Sequence, residues 1–270
     1  MEDRLLVTAS PHIRDHSTTR GLMGNVVIAL LPAVLASALI FGARALLLVV
    51  VTTFACVAFE YIYERLLHKP NTVGDLSAVV TGIILALNMP VGMPLWIAVV
   101  GAFVAIVITK QLFGGLGYNF ANPAIVGRIA MALGFTGAMT SYTYPENGID
   151  ALASATPLAV EETAQNAGSY VTLLLGNHGG VLGETCAITL LIGGIYLIWT
   201  KVISPTIPVT YLATVAVFSL LCGYDPIYQL LSGGLILGAF FMATDYVTSP
   251  TTEKGKLVFG IGLGVITCLI

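Results

Sequence analysis

Charge is scarce in this chain. Only 9% of its 270 residues are Asp, Glu, Lys or Arg, and 57% are hydrophobic, with a mean hydropathy of +0.92. A water-soluble domain carries about 25% charged residues, so a soluble fold of this length is excluded, and the bilayer is the natural solvent. The net charge of -3 leaves no polybasic surface and excludes nucleic acid as a partner. Cysteine is equally sparse. Cys56, Cys186, Cys222 and Cys268 make no Cys-x-x-Cys pair, which argues against an iron–sulfur or zinc site on this chain alone and for small apolar residues inside spans. The four histidines, His12, His16, His68 and His178, have no ligand spacing. The first twenty residues are polar and mixed in charge, unlike a secretory signal.

What the chain does have is apolar runs. A hydrocarbon core of about 30 Å is matched by about 20 residues of helix. Nine runs predict spans at 22–41, 45–63, 75–89, 94–108, 123–135, 182–199, 208–222, 227–243 and 257–270. The third, fifth and eighth carry Gly or Pro at their ends, the pattern of broken helices, which are tolerated at membrane depth only where protein or a cavity covers them. The last run is short and reaches Ile270, so a further helix is expected beyond it.

Placing the N-terminus in the cytoplasm puts Arg4, Arg14, Arg20, Arg65, Lys69, Lys110, Lys201, Lys254 and Lys256 inside, as the positive-inside rule favours. Arg44 then lies outside and Arg128 falls within the fifth span. Residues 136–180 form a long external segment with no Lys or Arg, carrying Glu146, Asp150, Glu161 and Glu162. The expected organisation is a cytoplasmic arm over 1–21, a first membrane half over 22–135, the external segment, and a second half over 181–270. Thr81-Gly-Ile-Ile-Leu-Ala-Leu and Gly233-Gly-Leu-Ile-Leu-Gly-Ala are faintly alike and lie on helices of opposite direction. That fits an inverted repeat, and chance likeness between two apolar helices fits it as well.

Three motifs carry the chemistry. The external segment contains Asp150-Ala-Leu-Ala-Ser-Ala-Thr156, in which small neighbours leave a threonine hydroxyl open to esterification. Before the fifth span stands Gly114-Gly-Leu-Gly-Tyr-Asn-Phe-Ala-Asn-Pro123. Its glycines allow close backbone approach, and Asn119 and Asn122 offer uncharged donors and acceptors. No Gly-Lys-Ser/Thr follows, so it is not a phosphate loop. The eighth span ends in Ala243-Thr-Asp245. Asp75 and Glu184, at the starts of the third and sixth spans, are candidates for an ion path or simply acids favoured by the helix dipole.

Together these motifs resemble the family that includes the D subunit of Rnf complexes and the B subunit of sodium-pumping NADH:quinone reductases (the NqrB/RnfD family), over essentially the whole chain. The short N-terminal arm is more similar to the Rnf D subunit. The resemblance implies an all-α polytopic membrane protein of about ten transmembrane helices, nine visible here, in two inverted repeats with broken helices, like urea channels. It implies FMN bound covalently through Thr156, within a flavinylation motif that includes Asp150 and Ser154. Ala153 stands where the family usually has a hydroxyl residue. It further implies a non-covalent riboflavin near Asn119, Asn122 and Asp245. The function implied is electron transfer between ferredoxin and NAD⁺, with no NAD site on this chain, coupled to Na⁺ or H⁺ translocation. The partners implied are the C, G, E, A and B subunits, a flavin transferase and the lipid of a bacterial inner membrane. Two other classes compete. A channel or transporter of the same fold predicts a colourless protein, and a purely structural anchor predicts that changing Thr156 leaves activity intact.

Overall fold

A computed structural model describes residues 18–142, 170–176, 178–184 and 186–270. Every regular element among the described residues is a helix, with no strand. Asp150, Ser154 and Thr156 of the expected flavinylation motif, and the arm before residue 18, lie outside them.

Among the described residues, two helices are long and apolar enough to cross a membrane: α1 (Thr19–Phe41) and α2 (Ala43–Leu66). The hydroxyl of Thr18 caps α1 by accepting the N–H of Gly21 at 3.2 Å. Gly42, at φ 75°, makes the sharp turn between the two helices. Their outward faces expose Leu35, Leu39, Val50 and Phe54, as lipid-facing helices do.

The third apolar run is not one helix. A 3₁₀ turn, Val73–Asp75, precedes α3 (Ser77–Leu87), with Leu76 in the left-handed region between them. Next come α4 (Leu95–Gln111), α5 (Pro123–Gly134) and the short α6 (Thr136–Met139). The last eight residues of α4, Val104–Gln111, are wound as a π-helix. From residue 170 onward come α7 (Tyr170–Leu175), α8 (Ala187–Trp199) and α9 (Thr206–Cys222). The eighth run is broken at Ser232–Gly234. It gives α10 (Pro226–Leu231) and then α11 (Leu235–Leu237), which runs on as a π-helix over Gly238–Met242. The final helix is α12 (Glu253–Leu269).

The sixth run is shorter than its hydropathy suggests, because α8 begins only at Ala187. Residues 181–184 instead fold back on the end of α3. The N–H groups of Leu182 and Gly183 donate to the carbonyls of Met89 and Leu87, at 3.0 and 2.7 Å. A helix end buried in apolar surroundings leaves orphan carbonyls, and this turn satisfies two of them.

α3 and α11, the segments with similar sequences, are among the most enclosed elements: all but two residues of α3, and every residue from Leu235 to Leu237, are buried. They meet at their ends, where the Asn88 amide lies 3.8 Å from the sulfur of Met242. Around them, α1 packs on α8, α2 on α3 and α4, and α9 on α10 and α12. Glycines set the close approaches. A Cβ on Gly82 would stand 2.6 Å from Cα of Thr53, and one on Gly194 2.5 Å from the ring of Phe240. This is the small-residue packing expected between helices that gain no hydrophobic free energy from each other in lipid.

Candidate functional site

The glycine-rich segment turns as its composition requires. Gly114, Gly115 and Gly117 all have positive φ, at 125°, 97° and 93°, a region costly for residues with a Cβ. The turn delivers Asn122 to the N-cap of α5. There its Oδ1 accepts the N–H of Ala124 at 3.0 Å and of Ile125 at 3.4 Å, with Pro123 in the first turn. Asn119 is buried, and its amide donates to the carbonyl of Ala121 at 3.0 Å.

Asp245 follows the π-wound end of α11. Its carboxylate accepts the N–H of Val247 and the hydroxyl of Thr248, each at 3.3 Å, and the Asn119 amide lies near it. Burial pushes the Asp245 carboxyl above the ordinary aspartate range, and these neighbouring groups oppose the rise.

Asn119, Asn122 and Asp245, from two distant stretches of sequence, therefore line one groove. Its walls are Val80, Ile84, Phe240 and Phe241, and Ser77, Lys110 and Thr244 add polar atoms. The groove with its open mouth measures about 760 Å³. Apolar walls with a few convergent polar groups are the usual make-up of a small-molecule site. A flat heterocycle with one polar edge suits this donor set. The ring would lie between the aliphatic and aromatic walls, with its edge towards the asparagine amides, entering through the mouth.

The two acids expected on an ion path lie apart. Asp75 holds the start of α3. Its Oδ1 accepts the N–H of Ser77 at 2.7 Å and also pairs with the Ser77 hydroxyl. Glu184 lies before α8, in the turn that caps α3. It is buried, accepts the N–H of Val181 at 3.3 Å, and pairs with Arg128 at 3.9 Å. Arg128 in turn donates to Asn88 Oδ1 at 2.8 Å. Arg128 and Glu184 line a second and roomier cavity, about 2040 Å³ with its open mouth, which shares Asn122 with the groove.

Sequence reasoning missed a cluster that the fold assembles beside the groove. Lys110, counted among the positive charges of the cytoplasmic side, is 2% exposed and pairs with the fully buried Glu60 at 2.7 Å. It also donates to the Ser77 hydroxyl at 2.6 Å. Gln111 donates to Glu60 at 2.9 Å and to Glu64 at 3.4 Å, and Thr72 bridges both glutamates. The available signal was Glu60 and Glu64, one helical turn apart at the end of an apolar run, because ionisable groups at membrane depth are costly and need partners.

Sequence comparison decides the family. A model of the family described as NQR2, RnfD, RnfE matches residues 6–270. The chain belongs to the NQR2, RnfD, RnfE family. It is 48% identical to the D subunit of the Na(+)-translocating ferredoxin:NAD(+) oxidoreductase complex of Acetobacterium woodii, over 100% of this chain and 86% of that protein. It is 38% identical to the D subunit of the proton-translocating ferredoxin:NAD(+) oxidoreductase complex of Clostridium ljungdahlii, over 98% of this chain and 85% of that one. It is 36% identical to the D subunit of the ion-translocating oxidoreductase complex of Rhodobacter capsulatus, over 97% and 84%. For a member of the NQR2, RnfD, RnfE family, an all-helical membrane architecture accords with the composition and helices described above.

Proposed function

We propose that this chain is the D subunit of an Rnf-type complex. It passes electrons within a ferredoxin:NAD⁺ oxidoreductase that moves Na⁺ or H⁺ across a bacterial inner membrane. The observation that carries the reading is the full-length similarity to D subunits of such complexes. The convergence of Asn119, Asn122 and Asp245 on one groove supports it independently.

In this reading FMN is esterified to Thr156, inside the motif of Asp150 and Ser154, on the outer side. Riboflavin occupies the groove on the cytoplasmic side. Flavin supplies the electron-carrying chemistry. The chain's own work is placement. Asn122 offers its amide N–H groups to the groove while its oxygen caps α5, and Asp245 fixes Asn119. Phe240 and Phe241 keep water from one face. A covalent tether suits the outer flavin, which would otherwise be lost by diffusion. The partners are the C, G, E, A and B subunits, with a flavin transferase needed for maturation.

The test is in-gel flavin fluorescence of the denatured protein, produced with its flavin transferase, as wild type and as Thr156→Ala. A fluorescent band lost in the variant is expected. A dark wild-type band, with the transferase active on another substrate, would overturn the flavin-carrier reading in favour of a colourless channel of the same fold. Activity of the purified complex with ferredoxin and NAD⁺, rather than NADH and quinone, separates it from the sodium-pumping quinone reductase branch.

A further inference from the structure

The cluster around Glu60 connects two openings. On one side Lys110 and Ser77 line the groove. On the other, Glu64 lines a surface cleft with Arg65, His68 and Lys69. Between them lies Glu60, with 0% exposure. Its Oε1 is crowded, accepting Lys110 at 2.7 Å, Gln111 at 2.9 Å and Thr72 at 3.2 Å. Its Oε2 is buried with no hydrogen-bond partner. A buried carboxylate oxygen without a donor is costly, and it is also a vacant place for a proton. The titratable groups facing Glu60 are Cys56 and Glu64 on its own helix, Asp75 from the 3₁₀ turn, and Lys110 from α4.

The ammonium of Lys110 has two places to go. It already touches both Glu60 and the Ser77 hydroxyl at the groove wall. A negative charge in the groove competes with Glu60 for it, and in a low-dielectric interior that competition is strong. Once Lys110 turns to the groove, Glu60 is left as an unpaired buried carboxylate, which such surroundings do not support.

We propose that Glu60 is the proton-accepting residue linked to electron arrival in the groove. One electron, delivered by the complex's own redox chain, reaches the groove's occupant. Lys110 keeps its protons and moves its charge towards the groove. One proton enters from the cleft past Glu64 and Thr72 and forms an O–H bond on Glu60. Reoxidation returns Lys110 to Glu60 and releases that proton. Net charge in the cluster and groove is thereby unchanged by electron transfer. All of this rests on riboflavin occupying the groove.

The experiment uses the intact complex in lipid nanodiscs. The potential of the non-covalent flavin is followed against pH, as wild type and as Glu60→Gln, and redox-difference infrared spectra are taken on wild-type protein with ¹³C-labelled glutamate. The expected wild-type slope is about 59 mV per pH unit, one proton per electron, flattening in Glu60→Gln. Reduction should raise an isotope-sensitive carboxylic-acid band, which needs no variant. An unchanged slope in Glu60→Gln, absence of that band, or a potential that tracks Na⁺ concentration at fixed pH would overturn the proposal. A wild-type complex that releases no riboflavin on acid extraction would overturn the reading of the groove instead.

Discussion

Gly183 donates its backbone N–H to the carbonyl of Leu87 at 2.7 Å, across 96 positions of sequence. The contact ties the turn before α8 to the last residue of α3, in the most enclosed part of the bundle. There is no room for a side chain: a Cβ would stand 2.9 Å from that carbonyl and 2.9 Å from Leu237. Replacing Gly183 by Val should therefore destabilise the protein by roughly 1–3 kcal/mol, the usual range for overpacking. Thermal unfolding in detergent measures it, and a variant as stable as wild type would mean that the turn can move off α3.

Asn122 has two separable tasks. Its oxygen caps α5, and its nitrogen is left for the groove. Asn122→Ala should cost about 0.5–2 kcal/mol of stability, as loss of an N-cap does. Asn122→Asp keeps a capping oxygen and should keep that stability while losing the donor. Both should reduce riboflavin recovered by acid extraction. Full recovery from Asn122→Asp would show that the amide does not contact the flavin.

The Lys110–Glu60 pair is expected to behave as buried pairs do. Lys110→Met alone strands a carboxylate with 0% exposure and should cost about 3–5 kcal/mol, whereas Glu60→Gln combined with Lys110→Met should recover most of the loss. Unfolding of the two variants in mixed detergent gives the comparison. If the single variant matched the double, the two side chains would not be coupled.

Helices α9 and α12 meet through glycine. A Cβ on Gly264 would lie 2.6 Å from Thr214, and Gly260 is pressed against Thr210. Gly264→Leu should force the helices apart and lower the yield of folded protein, while Gly262→Leu, whose Cβ position has nothing within 4 Å, should be tolerated. Size-exclusion profiles of the two variants provide the check, and equal behaviour would argue against close packing here.

Much of this architecture was legible in the sequence because hydropathy reports lipid-facing surface directly, and α1, α2 and α5 begin and end within a few residues of their apolar runs. The break in the eighth run was signalled by Gly233 and Gly234, whereas the break in the third falls at Leu76, which carries no such signal. Hydropathy could not show that residues 181–184 leave the helical path, since their hydrogen-bond partners, Leu87 and Met89, are remote in sequence. The groove's Asn119, Asn122 and Asp245 were legible as motifs. Lys110 was not, because a lone lysine at the end of an apolar run reads equally as a surface charge. Only the packing of α2 against α4 discloses its partner.

The widened winding of α4 has one more consequence. From Val104 to Gln111 the chain closes its turns five residues back, as in the bond from Leu112 N–H to the carbonyl of Val107 at 3.0 Å. Such a turn holds one residue more than an α-helical turn. Deleting a single residue there would restore ordinary winding and rotate all that follows by about 100°, carrying Lys110 and Gln111 away from Glu60. The buried charge pair thus depends on a surplus residue in the helix as much as on the identities of its members.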